Sequence, residues 1–269
     1  MRWHRLARKD VRDSMRNWSL YGILALFVLF GGLVGYSSAG ADTGPGSVLL
    51  FTSTLGFLAP IVALGISYAS VAGPRTDGSL KFLLGLPYSR RDVLLGTYAG
   101  RVLVVTAGVV VGYLAHALGS LVGGQVVSPT AVLVGFVAVV VLVVPVVGIA
   151  VGISTAVRST TIAGLLAFVV FLLTFALWQS IPGWVVTALN GFSPPPSPPE
   201  WAPLFRSLNP LAASRVLFDA LAGAVLSTEA PLGGGDRVVR SVPLAVAVLA
   251  GWAILAPLAG FLRFRNDDI

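Results

Sequence analysis

The sequence is poor in charged residues and contains no cysteine. Charged residues make up 11% of the 269 residues, whereas soluble domains carry about 25%. Hydrophobic residues make up 56%, so the composition excludes an ordinary soluble domain and predicts a membrane protein. The absence of cysteine excludes disulfides, thiolate metal sites and cysteine nucleophiles.

Apolar runs long enough to cross a bilayer occur six times. A hydrocarbon core about 30 Å thick requires roughly 20 apolar residues per helix, and lipid offers no partner to exposed backbone polar groups. The predicted fold is therefore an all-α polytopic membrane protein, with one transmembrane domain over residues 1–269. The predicted spans are residues 19–36, 48–71, 93–121, 130–156, 161–181 and 242–262.

The predicted spans contain few groups for catalysis or ion coupling. No acidic residue lies near the middle of a span, where ion-coupled transporters usually keep one. His116 has no second histidine or acid in its span, which favours a histidine hydrogen-bonded to a neighbouring helix over a ligand or proton carrier. An intramembrane enzyme would need more than His116, Thr174 and Gln179. No Gly-x-x-x-x-Gly-Lys-Ser/Thr loop is present to bind ATP.

The distribution of lysine and arginine predicts the orientation. Basic residues concentrate in residues 1–16 and 75–101, at Arg158, and after the sixth span. Because short basic loops stay in the cytoplasm, both termini of this multi-pass cell-membrane protein are predicted to be cytoplasmic, and residues 183–241 form an extracytoplasmic loop. The net charge of +7 follows from this topology and calls for no nucleic-acid partner.

Residues 1–18 have the pattern of an amphipathic helix that lies in the membrane interface and contacts lipid. His4 and Asp10 do not fit the pattern, and a basic anchor that only fixes topology is the alternative. The apolar face comprises Trp3, Leu6, Ala7, Val11, Met15 and Trp18. The basic face comprises Arg2, Arg5, Arg8, Lys9, Arg12 and Arg16.

A polar island, GPRTDGSLKFLLGLPYSRRDVLLG at residues 73–96, separates the second and third spans. Ser89 and Asp92 have the spacing of a capping box. A short amphipathic helix, a turn and the restart of span three are therefore predicted on the cytoplasmic face. The predicted helix has N-cap residue types at Thr76, Asp77 and Ser79, an apolar stripe at Leu80, Leu83 and Leu84, and a stop at Gly85. Such a loop is either a connector or a docking surface, and the stripe, which has no lipid depth to fill, favours docking.

Small residues predict close helix packing in two spans. Gly148 and Gly152 form a small-xxx-small pair in span four, where Pro145 is a predicted kink site. Span one has Gly31, Gly32 and Gly35. In the 183–241 loop, residues 211–222 are a candidate short re-entrant helix, and the proline run 194–199 is predicted to be extended.

Three segments share a pattern with one protein family. They read RTDGSLKFLLGLPYSRRDVLLGTYAGR at residues 75–101, GISTAVRSTTIAGLLAF at 152–168 and LNPLAASRVL at 208–217. With the six spans and the amphipathic start, they resemble the membrane subunits, or permeases, of ABC-2-type ABC transporters, similar to the nitrous-oxide-reductase maturation permease group.

The resemblance implies a permease, here an exporter, that is not itself an enzyme and needs no cofactor. ATP would be hydrolysed by a separate cytoplasmic ABC ATPase subunit, and a second copy or a related permease would complete the transporter. The loop 73–92 would carry a coupling helix, residues 77–84, that docks on the ATPase. The implied docking residues are Asp77, Ser79, Leu80, Lys81, Leu83, Leu84, Arg90, Arg91 and Asp92, with Arg158 as a second contact. A non-transporting membrane scaffold or assembly factor is the alternative, and the substrate stays open.

Overall fold

The structure is a computed structural model that describes residues 3–16, 18–38, 46–193, 197, 199–226 and 241–266. In that part of the chain all regular structure is helical, and six helical segments are long and apolar enough to span a membrane. The predictions of an all-helical fold and six spans are confirmed. The side chain of Trp18 and most of the proline run lie outside the described residues, as do residues 227–240 of the predicted loop.

The spans are α2 and α3, then α6 and α7, then a composite fifth span that begins with α8, and finally α12. The helices are α1 Trp3–Arg16, α2 Trp18–Ser37, α3 Gly46–Ser67, α4 Ala72–Thr76, α5 Ser79–Gly85, α6 Arg90–Val122, α7 Pro129–Ala156, α8 Thr160–Phe171, α9 Ile181–Leu189, α10 Ala202–Ser207, α11 Pro210–Leu226 and α12 Val242–Arg265.

The fifth span is longer than predicted. The predicted span ends at Ile181. Instead a π-helical turn over Leu172–Leu177 and a 3₁₀ turn over Trp178–Ser180 connect α8 to α9, and the helical path continues to Leu189. Pro182 lies in the first turn of α9, where its missing N–H costs nothing.

Glycines bring α2 and α6 together, as predicted for span one. A Cβ at Gly31 would collide with the carbonyl of Gly112, and one at Gly35 would collide with the backbone of His116. His116 is buried in this contact, and its ring stacks on Phe51 with ring centroids 4.6 Å apart.

Helix α7 is the most buried span and crosses α12 at a second glycine contact. A Cβ at Gly152 would meet the carbonyl of Ala256, and a Cβ at Gly260 would meet that of Gly152. The close approach predicted for span four is therefore confirmed. Pro145 lies inside α7, which continues through it without a break.

Helix α11 fills the half of the bundle farthest from loop 73–92. Phe218 and Ala222 pack against Val134 and Ala138 of α7, near the beginning of that span. The short helix predicted at residues 211–222 is present with longer bounds. We call this half the far end, and the half at loop 73–92 the loop end.

Candidate functional site: the loop between spans two and three

The short helix predicted in the loop is α5, but its start differs from the prediction. Gly78 holds the N-cap position with φ of 79°, a left-handed conformation that favours glycine. Thr76 ends α4, and the Asp77 carboxylate accepts a hydrogen bond of 2.9 Å from the Ser79 amide. Hydrogen bonds from the Ser79 hydroxyl and amide hold the pKa of Asp77 below its ordinary value. Asp77 therefore caps α5 from the preceding turn.

The predicted capping box at the start of α6 is confirmed. The Ser89 hydroxyl accepts from the Asp92 amide at 3.1 Å, and the Asp92 carboxylate accepts from the Ser89 amide at 3.2 Å. Asp92 is 6% exposed. Its carboxylate is thus placed in the cap and away from the surface that a partner would touch.

A serine of span four caps α4 from outside the loop. The buried hydroxyl oxygen of Ser154 accepts hydrogen bonds from the amides of Val71 at 2.9 Å and Ala72 at 3.0 Å. Both amides lie at the N-terminus of α4, where helical partners are missing. Ser154 was not predicted from the sequence. A serine two residues before the end of a span is the only signal it leaves in the sequence.

Two further contacts tie α4 to the short turn between α7 and α8. The Arg75 guanidinium donates to the Val157 carbonyl at 3.1 Å, and the Thr76 hydroxyl donates to the Arg158 carbonyl at 3.2 Å. The side chain of Arg158 is exposed. The loop and the predicted second contact therefore lie side by side at the loop end.

Arg90 connects the end of the loop to the last span. Its guanidinium donates to the carbonyls of Phe264 and Arg265 and lies 5.3 Å from the centroid of the Phe264 ring. Arg75 lies over the same ring at 5.0 Å. Arg90 thus holds the C-terminal end of α12, which the sequence alone did not indicate.

The apolar stripe of α5 faces the chain's own core, contrary to the docking interpretation. Leu80 is 1% exposed, and Leu83 and Leu84 are half-buried against the same core. The bundle covers Leu80 fully and Leu83 and Leu84 in part.

The exposed side of the loop carries different residues. Phe82 is 83% exposed and Leu86 is 54% exposed, and Lys81 and Arg91 of the same loop are exposed as well. We call these four residues the exposed set. Phe82 was not predicted from the sequence, although an aromatic residue off the apolar stripe of a short helix was the available signal.

Helix α1 also packs at the loop end. Leu6 lies against Gly96, and Asp10 lies against Gly100, where a larger residue would clash. Asp10, a misfit in the amphipathic pattern, pairs with Arg101 at 3.1 Å. Burial raises the pKa of Asp10, and Arg101 counteracts this.

A protein-family model described as ABC-2 family transporter protein matches residues 4–269, nearly the whole chain. The chain belongs to this family. It is therefore a multi-pass membrane protein of the ABC-2 type, as the loop motif indicated.

Curated relatives resemble part of this ABC-2 protein. One described as a probable ABC transporter permease protein NosY, from Pseudomonas aeruginosa, is 33% identical over 119 residues, which is 42% of this chain and 43% of the relative. A protein of the same description from Stutzerimonas stutzeri is 30% identical over 114 residues, or 40% and 41% of the two chains. The chain thus spans about two fifths of the length of these relatives.

The predicted docking residues of this ABC-2 protein fall into two groups. Those that face inward or bind other parts of the bundle are Leu80, Leu83, Leu84, Arg90 and Asp92. Those that are exposed at the loop end are Asp77, Ser79, Lys81, Arg91 and Arg158. A partner can reach the second group without any movement of the loop.

Proposed function

We propose that this ABC-2 protein is the membrane permease subunit of an ATP-driven exporter. In this proposal a separate cytoplasmic ABC ATPase subunit docks on the exposed set of loop 73–92. The observation that carries the proposal is Phe82, an aromatic side chain that is 83% exposed on a loop hydrogen-bonded to the bundle.

The exposed set has the composition of a docking surface. Buried aromatic anchors flanked by arginine contribute most of the binding energy at many protein interfaces. Phe82 supplies the aromatic anchor, and Lys81 and Arg91 supply positive charge that an acidic rim on the ATPase would complement.

The contacts of the loop provide a route for force. Ser154 joins α4 to α7, Arg75 joins α4 to the turn before α8, and Arg90 joins the start of α6 to the end of α12. A displacement of α5 therefore acts on several spans together. Closure of the ATPase subunits on ATP would bias a rigid-body change between two arrangements of the spans.

The remaining elements of the proposal concern topology and assembly. The basic loop end is cytoplasmic, with both termini, in the cell membrane. Helix α1 contacts lipid through its exposed Trp3 and Met15 while Leu6 holds it to α6. The outward face of α8, with Leu165 and Phe168 exposed, is available to a second permease.

The experiment that tests the docking surface compares two substitutions of equally exposed phenylalanines. Phe82→Asp changes the loop, and Phe192→Asp changes a residue that is also 83% exposed but follows α9 at the far end. Phe192 has φ of 64°, and aspartate tolerates that conformation well.

Each tagged variant is purified in mild detergent, and copurifying ATPase is quantified. Loss of an anchor residue that contributes at least about 2 kcal/mol of binding free energy weakens binding roughly 30-fold. Phe82→Asp should therefore lose the ATPase, while Phe192→Asp retains it. Equal elution volume and thermal stability establish that both variants are folded. An ATPase retained by Phe82→Asp refutes the docking surface, and no ATPase with the unchanged chain favours the scaffold or assembly-factor alternative.

A further inference from the structure

The π-helical turn over Leu172–Leu177 divides the fifth span into two parts. The part toward the loop end is α8, and the part toward the far end continues through the 3₁₀ turn into α9. Helices bend at π turns, and such turns often occur at functional sites. The contacts of the two parts differ, and the difference indicates which part is fixed and which is able to move.

The part beyond the π turn is fixed to α10 by two side chains. The indole N–H of Trp178 donates to the Phe205 carbonyl at 3.0 Å, and the two rings stack with centroids 4.8 Å apart. In the opposite direction, Nε of Arg206 donates to the Gln179 carbonyl at 3.1 Å. The far-end part of the fifth span and α10 are therefore held together as one unit.

Asn209 ties the π turn itself to the start of α11. Its side chain is buried, and its amide group donates to the carbonyl of Thr174 inside the turn. Its Oδ1 accepts from the amides of Leu211 at 2.8 Å and Ala212 at 3.2 Å, in the first turn of α11. Asn209 is thus both the N-cap of α11 and the first hydrogen-bonded tie beyond α8.

Helix α8 is held much less firmly. Ala163 and Ala167 are its buried residues. Within the described part of the chain, no hydrogen bond joins residues 160–171 to another helix. The turn that precedes α8 is nevertheless tied to the loop, because the Thr76 hydroxyl of α4 donates to the Arg158 carbonyl at 3.2 Å. Helix α8 therefore connects the loop to the π turn.

An apolar groove lies between the fifth span, α7 and α12. It has a volume of about 510 Å³. At its inner end the rings of Trp178 and Trp252 lie 6.4 Å apart, and along α12 its lining extends to Arg263 at the loop end. Val170 of α8 also lines the groove. A displacement of α8 toward or away from α12 therefore changes the width of this groove.

We propose that α8 is a lever that pivots at the π turn and that Asn209 is the positioning residue that fixes the pivot. A movement of α4 displaces the start of α8, while the far-end part of the span stays with α10 and α11. From Thr174 to Ile162 the lever is roughly 18 Å long. A bend of about 20°, as found at π turns, moves Ile162 by roughly 6 Å and changes the groove accordingly.

The proposal deepens the proposed function, because it names the span that responds to a displacement of the loop, and to that extent it rests on that function. Pivoting of α8 within the chain needs no ATPase. A failure of the pivot is therefore distinguishable from a failure of ATPase docking.

The test measures two distances by double electron–electron resonance in phosphatidylcholine nanodiscs. The sequence has no cysteine, so introduced cysteines carry the only spin labels. The lever pair is Ile162→Cys in α8 with Leu262→Cys in α12, and the reference pair is Val185→Cys in α9 with Val246→Cys in α12. All four positions are exposed. An excess of unlabelled chain ensures that only distances within one copy contribute.

We expect a narrow distance distribution for the reference pair and a distribution broader by roughly 6 Å for the lever pair. Equal widths for the two pairs would refute the pivot.

Two variants test the role of Asn209. Asn209→Ser keeps an N-cap acceptor for α11, since serine caps about as well as asparagine, but loses the amide that reaches Thr174. It should broaden the lever pair further and leave the reference pair narrow, because residues 174–177 then move with the lever. Ser207→Ala is the control, because its buried hydroxyl donates to the Leu204 carbonyl of its own helix at 2.7 Å. It should change neither pair.

Equal elution volume and thermal stability establish that both variants are folded. Broadening of both pairs in Asn209→Ser would show that Asn209 supports the far end as a whole, and an unchanged lever pair would show that it does not hold the turn. Either result overturns the assignment of Asn209.

Discussion

Replacing Ser154 by alanine removes the one side-chain acceptor shared by two amides at the start of α4. Ser154 is 0% exposed, and its oxygen lies 2.9 Å from the Val71 nitrogen and 3.0 Å from that of Ala72. An unsatisfied buried donor costs about 1–3 kcal/mol. Because two donors lose their acceptor, we expect Ser154→Ala to destabilise the closed position of α4 by about 2–6 kcal/mol.

Hydrogen exchange detected by mass spectrometry measures this effect locally. At about 1.4 kcal/mol per factor of ten, amides of α4 should exchange about 30 to 20,000 times faster in Ser154→Ala. Ser214→Ala is the matched control, because its buried hydroxyl donates to the Leu211 carbonyl of its own helix at 2.9 Å. That variant should leave α4 unchanged. Equal exchange of α4 in the two variants would refute the capping role of Ser154.

Two further predictions concern helix contacts. Gly260→Ala should destabilise the bundle by about 1–3 kcal/mol in thermal unfolding, because the new Cβ would meet the Gly152 carbonyl. Gly251→Ala in the same helix is the control. It should be neutral or slightly stabilising, because no atom lies within 4 Å of its new Cβ. Equal melting temperatures for the two would contradict the close crossing. Burial raises the pKa of Asp10 in the folded protein despite Arg101. The raised pKa stabilises the fold at pH values below the ordinary aspartate pKa of about 4, and this stabilisation is lost as pH rises through the raised pKa. Asp10→Asn should remove the contribution of Asp10 to the pH dependence of the unfolding free energy. An unchanged pH dependence in this variant would contradict the raised pKa of Asp10.

The sequence predicted features that depend on local pattern or composition. Apolar runs located the spans, and Ser89 with Asp92 located the start of α6, because a capping box involves residues three apart. The glycine contacts were predictable because close helix packing requires small residues.

Features that depend on distant residues were not predictable. Leu80 belongs to a stripe that fits a partner's groove or the chain's own bundle equally well, and only the three-dimensional arrangement shows that the bundle covers it. Phe82 was therefore overlooked. The cap from Ser154 joins residues more than 80 positions apart, and no local pattern encodes that contact.

The cap on α4 has a consequence for the order in which the protein is made. Ser154 follows Val71 by 83 residues, and synthesis at about 5–20 residues per second separates them by about 4–17 s. Throughout that interval α3 and the loop exist without the acceptor that closes α4. The loop reaches its final shape only after span four is inserted, so an ATPase that recognises this shape would bind newly completed permeases in preference to half-made ones.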